Sequence, residues 1–311
     1  MRTTSTPISH GTRRRKITVT ASVQRARRIE FQGLGAARIE TLSASDFERI
    51  SFLVGEYCGI RLPPSKKQMV EGRLRSRLRS LGFMSMQAYC GILFGEEGGA
   101  RELPHLVDSI TTNKTDFFRE PAHFQVLAEH AVPALLNMHG RGGPLLKIWS
   151  AACSAGQEPY TLAMVLAETA QHRFRFAILG TDICSEVLEE ARHAVYSEDV
   201  VKPVPDDMKR RYLMRSRGCK GQFRIVPELR KLVRFAHLNL MDSKYPIDRD
   251  VDVIFLRNVL IYFDKPTQRG VVERLVSHLR PGGYLFLGHS ESTIGSSIGL
   301  KEITSAVFRR S

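Results

Sequence analysis

The sequence predicts an α/β fold with a mostly parallel sheet, preceded by a small all-helical domain. From Leu145 onward, short apolar runs alternate with helical patterns, the rhythm of a sheet covered by helices on both faces. Between Ser45 and Ile110 the patterns are helical, with cap and stop signals. With 311 residues and 42% apolar composition, the chain is long enough for two domains.

The chain reads as a basic tail over 1–40, a helical domain over 41–112, and an α/β domain over 113–311 with an insert at about 197–231. The tail places "TRRRK" and "QRARR" among Ser, Thr, Gly and Ala without periodicity, so disorder is expected there. Ser45 followed by Glu48 predicts a capped first helix that Gly59 stops. A second helix runs over 65–81, with Ser65 as cap after Pro63 and Pro64, and Gly82 as its end. Val70, Leu74, Leu78 and Leu81 share one stripe of it. Lys66, Arg73 and Arg77 lie along one side of that stripe, outside it, so charge reversal there should spare the fold. The segments "SMQAYCGILFG" and "RELPHLVDSI" complete a small bundle.

The expected strands are "LLKIWS", "FRFAILGTD", "KLVRFAHLNL", "DVIFLRN", "YLFLGHS" and "SAVFRR", with helices over 158–169, 185–196 and 265–279. The stretch "YLMRSRGCKGQFRIVPELRK" alternates around a glycine-containing turn, which suits a small antiparallel insert.

No run of 18 apolar residues exists, so no transmembrane helix is expected, and the basic N-terminus has no apolar segment of a secretory signal behind it. The five cysteines form no C-x-x-C pair, which points to a reduced, cytoplasmic protein without structural zinc. The net charge of +14 is uneven. Residues 1–80 hold 17 Lys/Arg against 6 Asp/Glu. A charge gathered at one end suggests an acidic partner or a solvated tail.

The stretch "LKIWSAACSAGQEPYTLAMVLAE" reads as strand, loop and helix. Such a loop usually cradles a dinucleotide with three glycines, which let backbone amides approach a pyrophosphate. Here Gly156 stands alone. S-adenosylmethionine has no phosphate, so its pocket needs fewer glycines and more polar side chains. Glu158 at the helix start suits the helix dipole and the cationic end of that donor, or else simply caps the helix. Asp182, at the tip of the second strand, is placed to accept ribose hydroxyls, or else to cap the next helix.

Two longer strings, "SITTNKTDFFRE" and "DVIFLRNVLIYFD", carry a resemblance. Together with "WSAACSAGQEPYT", "TDI", "HLNL" and "GHSE", they resemble the CheR-type chemoreceptor glutamate methyltransferases over about residues 42–311. The family often has two glutamates before "PY", where this chain has Gln157–Glu158. The resemblance implies a Rossmann-like S-adenosylmethionine-dependent methyltransferase of chemotaxis signalling. It implies donor contacts from Asn113, Thr115, Arg119, Glu158, Asp182, Asn239, Leu240, Arg257 and Asn258. Tyr262 is placed near the transferred methyl and Arg119 on the acceptor, the two catalytic candidates. The acceptor is a glutamate on an acidic chemoreceptor helix. Lys66, Arg73 and Arg77 are the candidate docking residues for it, and a monomer recruited to membrane receptors without membrane insertion is expected.

The residues agree with that reaction. A glutamate carboxylate, with a reference pKa of about 4.3, is already ionised at neutral pH and needs no general base. No activated nucleophile or metal cluster is evident, and no metal is expected. A guanidinium at Arg119 can orient a carboxylate bidentately, or else form a structural ion pair with Glu120 or another acid. Tyr262 is as readily a core aromatic. A nucleic-acid methyltransferase is a second reading, but "RNVLIYF" stands where a base-amine enzyme commonly has an Asp/Asn-Pro-Pro-aromatic string. A donor-binding adaptor without turnover is a third; it predicts a broken site, whereas these candidates are all present.

Overall fold

A computed structural model describes residues 41–311 apart from positions 96, 97, 141, 172 and 217. The basic tail lies outside the described residues. Four helices come first: α1 (Ala44–Cys58), α2 (Lys67–Leu81), α3 (Met86–Leu93) and α4 (Gly99–Ile110). The cap of α1 is Ser43, whose hydroxyl accepts from the Asp46 amide at 2.9 Å, and not Ser45, which sits in the first turn. Leu42 and Phe47, both buried, flank that cap in the positions of a hydrophobic staple and set the entry of the chain. Ser65 is likewise not a cap. It lies in a 3₁₀ turn, Pro64–Lys66, that leads into α2. Val70, Leu74 and Leu78 are fully buried, but Leu81 is exposed because α2 ends there, at Gly82 with φ 74°.

Arg73 and Arg77 are not a free basic edge. Arg77 grips the buried Glu102 of α4 with two hydrogen bonds of 2.8 Å. Arg73 donates to the carbonyls of Ile110 and Thr111 and to the Thr112 hydroxyl, tying α2 to the end of α4. Helix periodicity shows which face a residue takes, not which distant helix meets it. The expectation that both charges could be reversed harmlessly is therefore overturned. Arg77→Glu sets a second carboxylate against a buried one, and unfolding free energy is expected to fall by about 3–5 kcal/mol. Urea titration reads this, and an unchanged midpoint at unchanged slope would return Arg77 to a solvated face.

Next come α5 (Pro121–Val126), a π turn (Leu127–Ala131) and α6 (Val132–His139). Sequence periodicity missed this segment, in which the π turn shifts the helical phase and Pro133 follows in the first turn of α6, where a missing N–H is tolerated. The α/β part then runs β1 (Leu145–Ala151), α7 (Gln157–Ala170), β2 (Arg175–Asp182) and α8 (Ser185–His193). The helix expected to reach 196 stops at His193, where Ala194 turns left-handed (φ 54°). The insert follows as β3 (Val195–Ser197), α9 (Glu198–Val201), α10 (Asp206–Tyr212), β4 (Leu213–Arg215), β5 (Gln222–Ile225) and α11 (Pro227–Arg230). Its strands form an antiparallel sheet in the order β3-β5-β4. The chain returns through β6 (Val233–His237), β7 (Val251–Leu256), α12 (Lys265–His278), β8 (Leu279–Leu287), α13 (Thr293–Ser297), β9 (Lys301–Thr304) and β10 (Val307–Arg309).

The main sheet has seven strands in the order β6-β2-β1-β7-β8-β10-β9, all expected from sequence except β9. The first five are parallel, and β10 runs antiparallel to both β8 and β9. Every residue of β7 is buried, as a central parallel strand covered on both faces requires. One face packs Phe124, Phe255 and Phe286 in a stack, with Phe255 and Phe286 4.3 Å apart; the other packs Trp149 against Tyr245. The strand order reverses between β1 and β7, so a crevice opens outside their carboxyl ends. Among the described residues, no helix is long and apolar enough to cross a membrane.

Candidate functional site

A cleft of about 1210 Å³, counting its open mouth, occupies that crevice. It is lined by the segments leaving four strands: Ala152–Ser154 after β1, Asp182–Ile183 after β2, Leu238–Leu240 after β6 and Arg257–Asn258 onward after β7. The helical bundle supplies the opposite wall through Ile60, Arg61, Lys66 and Met69, and the linker Thr111–Thr115 closes one side.

The single glycine of the first loop now has its reason. Gly156 caps α7 at φ 90°, and a Cβ there would lie 2.9 Å from the Cβ of Ala191 and 3.0 Å from the Tyr196 hydroxyl. It serves helix packing; the rest of the loop is held by polar bonds. Asp182, buried, accepts from the Ser154 amide at 2.8 Å and the Cys184 amide at 2.9 Å. The Ser154 hydroxyl donates to the Asn113 carbonyl at 2.7 Å, which fixes the linker string to the loop. Burial pushes the pKa of Asp182 up, and the backbone amides that bond it pull the other way.

Backbone strain gathers around this cleft. Among the described non-glycine residues with positive φ, Ala152 (57°), Ser154 (51°) and Asn258 (57°) line it, and Phe118 and Glu120 (both 54°) flank Arg119. Left-handed residues without glycine cost about 1–3 kcal/mol each and persist where the surroundings over-determine them, commonly at functional sites.

A largely buried charge chain runs along the floor. The Arg257 guanidinium pairs with Glu158 at 3.0 Å and Glu120 at 3.3 Å and donates to the Arg119 carbonyl. Glu158 also accepts from the Ser150 hydroxyl at 2.7 Å, and Asn258 Nδ2 donates to Glu120 at 3.3 Å. Glu158 is therefore not a side-chain cap of its helix. Arg119 is not paired with Glu120 either: Arg257 takes that carboxylate. The Arg119 guanidinium has one long contact, 3.4 Å to the Lys114 carbonyl, and lines the cleft.

All ten residues expected at the donor or methyl line the cleft: Asn113, Thr115, Arg119, Glu158, Asp182, Asn239, Leu240, Arg257, Asn258 and Tyr262. Asn239 also donates to the Tyr57 carbonyl at 2.6 Å, binding this wall to α1. Of the docking candidates Lys66 lines the cleft and is exposed, while Arg73 and Arg77 lie outside it, committed as described. Sequence reasoning gave Glu120 no role beyond a pair with Arg119, and none to Ser150, its fellow partner in the buried chain, nor to Arg61 and Lys114, exposed cations at the mouth. The string "TTNKTDFFRE" contains Glu120 and Lys114, but nothing in it shows a partner 138 residues away.

Among the described residues, Glu120, His123 and His289 bring metal-ligand atoms within 4.8 Å of one another. Burial and the Arg257 charge push the pKa of His123 down to about 4, so its ring is neutral. The guanidinium already neutralises Glu120, and its charge opposes a dication at the same oxygen. Burial also raises the thiol pKa of Cys153, which leaves it no nucleophile.

A crevice at a topological switch point, with an acid at the tip of the second strand and a single glycine in the first loop, suits a nucleoside cofactor that carries no pyrophosphate. Residues 113–307 match the family described as CheR methyltransferase, SAM binding domain, and residues 45–111 match the CheR methyltransferase all-alpha domain. The chain belongs to the CheR family of S-adenosylmethionine-dependent methyltransferases. It is 38% identical over 273 residues to a chemotaxis protein methyltransferase of Borreliella burgdorferi, covering 86% of this chain and 95% of the relative. It is 42% identical over 253 residues to one of Escherichia coli, covering 81% and 85%. Chemotaxis protein methyltransferase 2 of Pseudomonas aeruginosa is 40% identical over 265 residues, covering 85% and 92%.

Proposed function

We propose that this protein methylates glutamate side chains on the cytoplasmic helices of chemoreceptors, forming methyl esters and releasing S-adenosylhomocysteine. The observation that carries the reading is Arg119. Its guanidinium faces the cleft with no carboxylate partner among the described residues, between two strained residues, at a mouth that also bears Arg61, Lys66 and Lys114. That arrangement awaits an acidic side chain. The relatives' printed names place them in chemotaxis, which supports receptors as the source of that acid.

The chain's own groups fit the donor. The Asp182 carboxylate has one backbone donor on each oxygen, which leaves acceptor capacity for ribose hydroxyls. Glu158 and Arg257 hold the floor between the strand tips. When bound, S-adenosylmethionine supplies an electrophilic methyl on a sulfonium. Arg119 orients the incoming carboxylate, and the Tyr262 loop bounds the reacting end. No base is required, because the acceptor arrives ionised; the protein contributes alignment for in-line displacement. Lys66, with Arg61 and Lys114, steers the acidic receptor helix. The enzyme works as a monomer in the cytoplasm on membrane receptors.

Asp182→Ala is expected to weaken donor binding by about 1.5–3 kcal/mol, through lost charge-assisted contacts and a loosened Ser154 loop. Calorimetry on the folded variant reads this, and unchanged affinity rejects the assignment. The substrate class is tested by labelled-methyl transfer to receptor cytoplasmic fragments beside DNA and RNA. Label in nucleic acid, or donor binding without transfer to several receptors, sinks the proposal.

A further inference from the structure

The loop leaving β7 carries five cleft residues, Arg257, Asn258, Val259, Tyr262 and Phe263, yet it has little regular structure of its own. Asn258 is left-handed and only a 3₁₀ turn, Leu260–Tyr262, follows. Something outside the loop must hold it. The turn after β8 does so through Glu291, a carboxylate 3% exposed. One of its oxygens, Oε2, accepts from the amides of Asn258 and Gly288, both at 2.9 Å. The amides of Leu260 and Ile261 also lie near this carboxyl and favour its ionised form, against burial, which pushes its pKa up; neither meets full hydrogen-bond geometry with Oε1. Glycine is required beside it: a Cβ at Gly288 would sit 2.6 Å from Glu291 Oε2 and 3.0 Å from the Asn258 amide.

The carbonyl side of the same loop is held from α12. Gln268 Nε2, also buried, donates to Leu260 O at 2.7 Å and to Phe263 O at 3.1 Å. The Tyr262 carbonyl accepts from the Arg61 amide at 3.0 Å. Neither Glu291 nor Gln268 lines the cleft. Each bonds, through one polar atom, the backbone of a loop whose side chains do.

We infer that Glu291, with Gln268 opposite it, is a positioning residue for methyl transfer: it sets Asn258 and Tyr262 at the reacting end of the cleft without touching either substrate. This rests on the methyl-transfer reading above. A carboxylate suits the place because it offers acceptors only, whereas an amide would turn an NH₂ group toward a cluster of N–H donors. Small displacements at a reacting centre cost far more in turnover than in binding, and a shift of about 1 Å can cost about a hundredfold.

The test is Glu291→Gln, assayed with wild type on a receptor fragment, with kcat expressed per donor-binding site counted by calorimetry. The expected result is a fall in kcat of at least about tenfold, with receptor KM and donor Kd each within about fivefold of wild type. A residue that only supports the fold would lower the melting temperature and the number of donor-binding sites, yet leave kcat per site alone. Wild-type kcat per site in Glu291→Gln therefore overturns the inference. If that variant does not fold, Glu291→Asp keeps the charge on a shorter stem and is read in the same way; a kcat per site within twofold of wild type overturns it equally. Gln268→Leu is expected to lower kcat per site in the same direction. A wild-type protein that binds donor and methylates no receptor overturns the reading of the reaction instead, a result distinct from an active wild type with an equally active variant.

Discussion

In Arg257→Met, unfolding free energy is expected to fall by about 3–5 kcal/mol, because methionine leaves two carboxylates facing each other without their cation. Donor affinity is expected to fall by at least about tenfold in the folded fraction, the equivalent of one lost charge-assisted hydrogen bond. The cause is position. The Arg257 side chain is 2% exposed and joins Glu158, under the donor loop, to Glu120, beside Arg119. Three segments of the cleft therefore depend on one guanidinium. Arg257→Lys keeps the charge but cannot span both carboxylates and the Arg119 carbonyl, so it is expected to recover stability more than affinity. Denaturant titration and calorimetry on the same preparations decide the point. If donor affinity in Arg257→Met matches wild type, the chain is a structural ion pair without influence on the site.

Arg119→Lys is expected to keep the fold and lose turnover by about tenfold or more, since lysine keeps the charge but not the planar fork that pairs a carboxylate. The fold should survive because, among the described residues, the guanidinium hydrogen-bonds only the Lys114 carbonyl, at long range. Steady-state kinetics at saturating donor and receptor reads the effect. Turnover within a factor of two of wild type would mean that Arg119 does not orient the acceptor. Comparison with Arg257→Met is instructive: one variant removes a partner of the protein, the other a partner of the substrate, and only the first should be costly to stability.

The strands were legible because central parallel strands are continuous apolar runs, as in Val251–Leu256. The edge strand Lys301–Thr304 is exposed throughout and has no apolar signal to read. On the donor side Glu158 and Asp182 were legible because each stands beside a strand exit, a place that strand and helix patterns locate, whereas Asn113, Thr115 and Arg119 of the linker came only through the resemblance. The supports of the cleft were not legible. Arg257 reaches Glu158 across 99 residues and the Arg119 carbonyl across 138, and Arg77 meets Glu102 across 25. Local pattern carries no trace of such pairings, so Arg73 and Arg77 looked like a free basic face when both were occupied. Glu291 was in view within "GHSE", but its task lies in backbone amides of another loop, and amides are the same in every sequence.

The central claim is that the methyl reaches a glutamate carboxylate. It is tested most directly by peptide mass spectrometry of a receptor cytoplasmic fragment incubated with donor and enzyme, with half of each sample treated with mild alkali. The account predicts methylated glutamate in the untreated half, lost on alkali treatment with release of methanol, because a carboxylate methyl ester hydrolyses. Methylation that survives alkali, or that maps to lysine, arginine or an amide nitrogen, would contradict it.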